Sequence, residues 1–283
     1  MPYTSKDFAE LFGNRREIKL GQVNILETID ANAQKYLDVR VAGYRCKTTI
    51  CGNFARTEVY PVWDKRPKGL KAERNESRKE AQNSYNKKKS ARHCADIMNT
   101  NFRDGDFWLT LTYTDEHHPK NCKAAADLLR RYIDRVRRKF RKLKYIYTTE
   151  RGRNGHIHHH MVTNCRDYDL LKDRWTLGTV DEVRPLKSDD TGYTALANYF
   201  CDPKKDKGGE RLYVPSRNLE KPIIYSSDAK LSKKKVTKLA SDDVLCAEVS
   251  EKIVPGFKMT ERQTYISHIY PGVYIKVSMK KRN

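Results

Sequence analysis

Hydrophobic and polar positions alternate most regularly in the middle of the chain. In FWLTLTY (107–113), Phe107, Leu109, Leu111 and Tyr113 fall on one side of an extended segment and Trp108, Thr110 and Thr112 on the other. That two-residue period is the mark of a strand. Over about residues 123–143 the period changes. Leu129, Tyr132, Ile133, Val136, Phe140 and Leu143 recur at three- and four-residue steps, the stripe of a helix packed on a sheet. The opposite face carries Arg130, Arg131, Arg135, Arg137, Arg138, Arg141 and Lys142, either a solvated face or one that meets phosphate. KYIYTTE (144–150) and HIHHHMVTN (156–164) read as two strands across a glycine-containing turn, and TLGTVDEVRPL (176–186) contains another strand. TGYTALANYFCDP (191–203) reads as a helix stopped by Pro203. The order predicts an α+β fold of hairpin-like antiparallel strands with helices packed against them.

The flanks are less regular. Residues 1–65 read as short strands and turns, with strand-like stretches in KTTICGNFARTEVYPVW. Residues 66–93 are densely charged and read as largely helical. A basic cluster, LSKKKVTK (231–238), precedes a terminal strand within 265–281. The pattern divides the chain into an N-terminal strand and charged helical extension (1–80), a central domain (81–225) and a basic C-terminal extension (226–283).

Charge narrows the partner. The 283 residues hold 57 Lys and Arg against 36 Asp and Glu, a net charge of +21 spread along the whole length. A polyanion is the natural counterpart, and nucleic acid answers it better than a membrane surface does. The seven cysteines contain no CxxC pair, which points to reduced thiols rather than a zinc site. No signal pattern opens the chain, and no apolar run approaches the ~20 residues of a membrane span. The expected location is cytoplasmic, with no membrane partner.

Four of the eight histidines lie within five positions, His156-Ile157-His158-His159-His160. On a strand His156, His158 and His160 share one face and His159 the other. Neighbouring imidazoles on that face can turn onto one divalent ion. Glu150 ends the preceding strand, and antiparallel pairing would carry its carboxylate to the histidines. Two imidazoles and a carboxylate, with positions left for phosphate oxygens, suit Mg²⁺ or Mn²⁺ in phosphoryl chemistry. As a surface residue, Glu150 would instead pair Arg151 or Arg153. A nucleophile is harder to find. Neither a GxSxG elbow nor a catalytic cysteine frame is present. Tyr199 and Tyr193 lie on one predicted helix, six residues apart and therefore on different faces. Either could attack phosphorus or simply fill the core.

The array FWLTLTY, YIYTTERGRNGHIHHHMVTN and TGYTALANYFCDPKK resembles the three ordered motifs of the HUH superfamily. Within it, the array is most similar to the rolling-circle replication initiators of phages, plasmids and integrated elements. The resemblance covers roughly residues 81–225. It implies a central antiparallel sheet of four to five strands with flanking helices, ferredoxin- or RRM-like in outline. His158 and His160 take the His-U-His positions, with His156–Ile157–His158 as the alternative frame. Glu150 takes the acidic third-ligand position and Tyr199 the nucleophile position, with Tyr193 second. Ala195 and Asn198 stand where the tyrosine motif carries a further tyrosine and a lysine, which favours a single-tyrosine enzyme.

The resemblance implies a nick in single-stranded origin DNA, a 5′-phosphotyrosyl enzyme and a free 3′-hydroxyl for rolling-circle replication. Arg151, Arg153, Lys204, Lys205 and Arg217 are the candidates for DNA contact. No GxxxxGK[ST] loop occurs, so strand separation would fall to a separate helicase and synthesis to a host polymerase. Three other readings stay open: a relaxase or single-tyrosine transposase with the same chemistry, a water-using metallonuclease, and a non-catalytic origin-binding protein.

Overall fold

A computed structural model describes residues 15–17, 40–64, 76–152, 154–202, 211–267 and 272–282. In chain order the strands are β1 (Arg15–Glu17), β2 (Val41–Cys51), β3 (Phe54–Trp63), β4 (Phe107–Leu111), β5 (Tyr145–Arg151), β6 (Ile157–Thr163), β7 (Val180–Pro185), β8 (Val214–Pro215), β9 (Ile223–Ser227), β10 (Phe257–Ser267) and β11 (Val273–Lys281). The helices are α1 (Glu76–Asn101), α2 (Cys122–Lys139), α3 (Tyr168–Arg174), α4 (Thr194–Phe200), α5 (Lys233–Ser241) and α6 (Asp243–Ile253). The chain divides into two compact units, residues 86–221 and residues 1–85 with 222–283.

The central unit is built on a five-stranded sheet in the order β7-β4-β6-β5-β8. Its neighbouring strands are all antiparallel. Strand β4, helix α2, hairpin β5–β6, helix α3 and strand β7 follow one another as β-α-β-β-α-β, and β6 lies between β4 and β5. This is the split βαβ, ferredoxin-like arrangement. The α+β class and the antiparallel sheet expected from the sequence are therefore present. Helices α2 and α3 bury one side of the sheet: Leu129, Tyr132, Val136 and Leu171 pack on Leu109, Leu111 and Met161. Helices α1 and α4 bury the other side through Cys94, Met98, Ala197 and Phe200, which meet Ile146 and Val162. The strict alternation in β4 does this sorting. Leu109 and Leu111 point to the first core and Trp108 to the second.

Local chemistry sets the element ends. The Asn121 side chain accepts from Ala124 N–H at the start of α2. Helix α4 begins at Thr194, later than the predicted 191. Asp189 and Gly192 form a bridge, and Tyr193 N–H donates to Asn99 Oδ1 at 2.8 Å. These bonds hold 191–193 as a turn. The helix ends at Phe200, and Pro203 lies outside the described residues.

The other unit carries a six-stranded sheet, β1-β10-β11-β3-β2-β9. Helices α5 and α6 cover one face, with Val236, Leu239 and Cys246 against Val59, Ile275 and Val277. The two flanks of the chain meet here, because β11 pairs with β3 (Ile275↔Val59, Val277↔Thr57). The basic cluster at 231–238 lies largely on α5, an amphipathic helix with Val236, Leu239 and Ala240 inward and its lysines outward. Among the described residues no helix is long and apolar enough to cross a membrane.

Candidate active site

Two adjacent strands of the central sheet create the site. The β5–β6 hairpin pairs Glu150 with His158 and Thr148 with His160. Its turn closes through Gly155, whose φ of 84° suits a residue without Cβ, and Gly155 N–H donates to the Gly152 carbonyl at 3.0 Å. The register brings Glu150 Oε1 within 3.1 Å of His158 Nε2 and 2.9 Å of His160 Nε2. One ligand atom from each of the three residues lies within 4.8 Å of the others. Glu150 and His160 are buried and His158 is partly exposed. A carboxylate this deep needs positive charge or donors beside it. Two imidazole nitrogens and one carboxylate oxygen converging on one point are a donor set that fits a divalent ion.

The orientation of His160 has a cause one strand away. Thr110 on β4 pairs with His160, and its Oγ1 lies 3.0 Å from His160 Nδ1. The same hydroxyl donates to Glu182 Oε2 at 3.5 Å. It is therefore placed to accept the Nδ1 proton, which leaves Nε2 to face Glu150. Outer groups of this kind fix a ligating imidazole's tautomer. Glu182 reaches this position through a bulge in β7 opposite Leu109, where its φ is 49°.

His159 points into the opposite core. Its ring is fully buried, with Nε2 2.7 Å from the Tyr113 hydroxyl and Nδ1 2.8 Å from Thr149 Oγ1. Burial, reinforced by His158 and His160, pushes its pKa down to about 3. It is a neutral packing residue satisfied on both sides. His156 precedes β6, is exposed, and stacks edge-on with His118 at 5.1 Å between ring centres. The group that could hold a metal ion is thus Glu150, His158 and His160, with His156 outside it.

The tyrosines separate clearly. Tyr199, on α4, places its hydroxyl 3.0 Å from His160 Nε2, and the residue is 38% exposed. Burial, then the charges of Glu150 and Glu182, raise its pKa above the usual phenol value, so the phenol is held neutral here. Tyr193 is buried and donates to Asp104 Oδ1 at 2.8 Å. The geometry brings Tyr199 to the Glu-His-His group and gives Tyr193 a structural bond elsewhere. Trp108 stands beside both Tyr199 and His160, with its ring 5.7 Å from that of Tyr199 and 6.2 Å from that of His160.

Residues 106–203 match a family model described as replication-associated protein ORF2/G2P. The match starts just before β4 and runs just past α4, so it contains the Glu-His-His group and Tyr199. It ties about a third of the chain to replication-associated proteins. No curated protein and no solved structure matches the chain.

Arg151 and Arg217 are both exposed, Arg151 at the end of β5 and Arg217 just after β8. Arg153, Lys204 and Lys205 lie outside the described residues. Sequence reasoning did not single out Thr110, Glu182 or Arg184. Thr110 was legible as facing the side opposite Leu109 and Leu111. Glu182 was hidden because a bulge breaks the alternation that would have placed it.

Proposed function

We propose that the central unit is a divalent-metal-dependent endonuclease that cuts single-stranded DNA at a replication origin, with Tyr199 as nucleophile. The observation that carries this reading is the 3.0 Å approach of the Tyr199 hydroxyl to His160, itself beside Glu150 and His158. Those three residues would hold Mg²⁺ or Mn²⁺, which when bound would polarise the scissile phosphate and offset its charge. Tyr199 loses its proton to solvent on its exposed side. Its oxygen bonds to phosphorus as the bond to the 3′-oxygen breaks. The products are a 5′-phosphotyrosyl protein and, once protonated, a free 3′-hydroxyl to prime rolling-circle synthesis. Because the ester conserves the phosphodiester bond, attack by a 3′-hydroxyl can reverse the step without ATP. His160, tied down by Thr110, sets the distance between phosphate and phenol.

The net charge of +21 supports a nucleic-acid partner, and the ORF2/G2P match supports replication as the setting. A separate helicase and host polymerase, in the cytoplasm of a bacterium carrying a phage, plasmid or integrated element, complete the proposal. The test is to incubate the protein with a 3′-end-labelled random-sequence single-stranded library and Mn²⁺, then run a denaturing gel. Label should remain on the protein, and both EDTA and Tyr199→Phe should abolish it. Cleavage without retained label would make water the nucleophile. Binding without cleavage would leave a non-catalytic origin-binding protein.

A further inference from the structure

The same sheet face continues past Tyr199 toward the edge strand β7. Trp108 on β4 pairs directly with Arg184 on β7, one row of the sheet away from the pair that holds Thr110 and His160. Rows on one face are two residues apart along the strand, ~7 Å. The Arg184 guanidinium carbon sits 5.6 Å above the centre of the Trp108 ring. The Trp108 ring in turn meets Tyr199 edge-on at 5.7 Å. Guanidinium, indole and phenol thus run in a row from the edge of the sheet to the Glu-His-His group.

Arg184 is held but not consumed by this arrangement. Its side chain is 62% exposed, and its carboxylate neighbour Glu182 stands 3.6 Å away and is itself 52% exposed. A pair that open to water is weak and easily exchanged for a better anion. Contact with the indole restricts where the guanidinium can lie while its side chain stays open to water, and a guanidinium so placed can grip a phosphate with two bonds. Trp108 Nε1 is buried without a hydrogen-bond partner among the described residues. The ring itself is what Arg184 and Tyr199 both meet.

The geometry points to Arg184, held over the Trp108 ring, as the clamp for the phosphodiester next to the one cut by Tyr199. This rests on the function proposed above and adds the feature that sets where the strand lies. Its role is in binding, so the test reads binding without metal or chemistry. In the Tyr199→Phe background and in EDTA, affinity for fluorescein-labelled mixed-sequence single-stranded oligonucleotides is measured by anisotropy over a salt series. Arg184→Gln should weaken binding about tenfold and lower the salt slope by about 0.7, the loss of one phosphate contact. Arg184→Lys should keep the slope and recover only part of the affinity, because it keeps the charge but not the planar fork. Trp108→Phe should weaken binding less than Arg184→Gln does. Mn²⁺ affinity, read separately, should be the same for Arg184→Gln and the parent.

Unchanged affinity and slope in Arg184→Gln would overturn the clamp. So would a loss confined to oligonucleotides of one base composition, which would make Arg184 a reader of bases. The covalent-adduct assay on proteins with Tyr199 intact keeps the two claims apart. No adduct with a normal Arg184 effect removes the nuclease and leaves a single-strand site. An adduct with no Arg184 effect on binding removes only the clamp.

Discussion

Replacing Thr110 by valine removes one hydroxyl and almost no volume, and its consequence can be worked out from two distances. Thr110 Oγ1 is buried, 3.0 Å from His160 Nδ1, while Glu150 Oε1 lies 2.9 Å from His160 Nε2. Without metal, His160 can hold its proton on Nε2, where Glu150 accepts it, so the loss of Thr110 is tolerated. With metal, Nε2 must offer its lone pair, and the proton is forced onto Nδ1. In Thr110→Val that N–H has lost its acceptor in a buried place, at a cost of about 1–3 kcal/mol. The penalty falls mainly on the loaded state and therefore appears as lost affinity. At ~1.4 kcal/mol per tenfold, Mn²⁺ should bind roughly 5- to 150-fold more weakly, which spans the range usual for outer-sphere partners. Titration calorimetry on the full chain measures this directly. Thr112→Val is the control: Thr112 bonds Thr179 and Asp181 rather than His160, so its affinity should stay at the parent value. If Thr110→Val binds Mn²⁺ as tightly as the parent, Thr110 does not orient His160 and the reasoning fails.

Further outcomes follow from the same structure. Gly178→Ala would drive a methyl into the Thr112 carbonyl oxygen and to 2.7 Å from Tyr113 Cα, both main-chain atoms that cannot swing aside. A loss of about 2–3 kcal/mol, or roughly 5–10 °C in Tm, should appear in thermal denaturation, and an unchanged Tm would contradict the contact. His159 titrates near 3 when folded and near 6.5 when unfolded. Its contribution is therefore complete above pH 6.5 and is lost as pH falls toward 3. In metal-free urea titrations stability should decline by up to ~1.4 kcal/mol per pH unit across that window. His159→Gln should flatten the slope by one proton, and an identical slope would refute the assignment. Tyr193→Phe should cost about 1–2 kcal/mol through the lost Asp104 bond yet still form the covalent adduct at the parent rate.

Much of the central unit was legible because its information is local. The two-residue alternation of 107–113 sorted Leu109 from Thr110, and the stripe from Leu129 to Val136 marked α2. Glu150 fell opposite the histidines because a short hairpin leaves little freedom of register. What stayed hidden depended on distant partners. The pairing of β11 with β3 joins residues more than two hundred positions apart, so the sequence reads as two separate extensions where one sheet exists. Choosing His158–His160 over His156–His158 required knowing that β6 starts at Ile157. That Asp104 takes the Tyr193 hydroxyl, while the Tyr199 hydroxyl lies beside His160, is likewise a contact between distant residues that no spacing announces. The positions of Glu182 and Arg184 depend on a bulge that no periodicity announces.

The central claim is that Tyr199 attacks phosphorus beside a cation held by Glu150, His158 and His160. Tandem mass spectrometry of the trapped protein–DNA adduct, after nuclease and protease digestion, addresses it most directly. The account predicts a nucleotide attached to Tyr199 in the peptide that also contains Tyr193, formed with Mn²⁺ and absent when His160 is replaced by alanine. A nucleotide on Tyr193, or on any other residue, would contradict it.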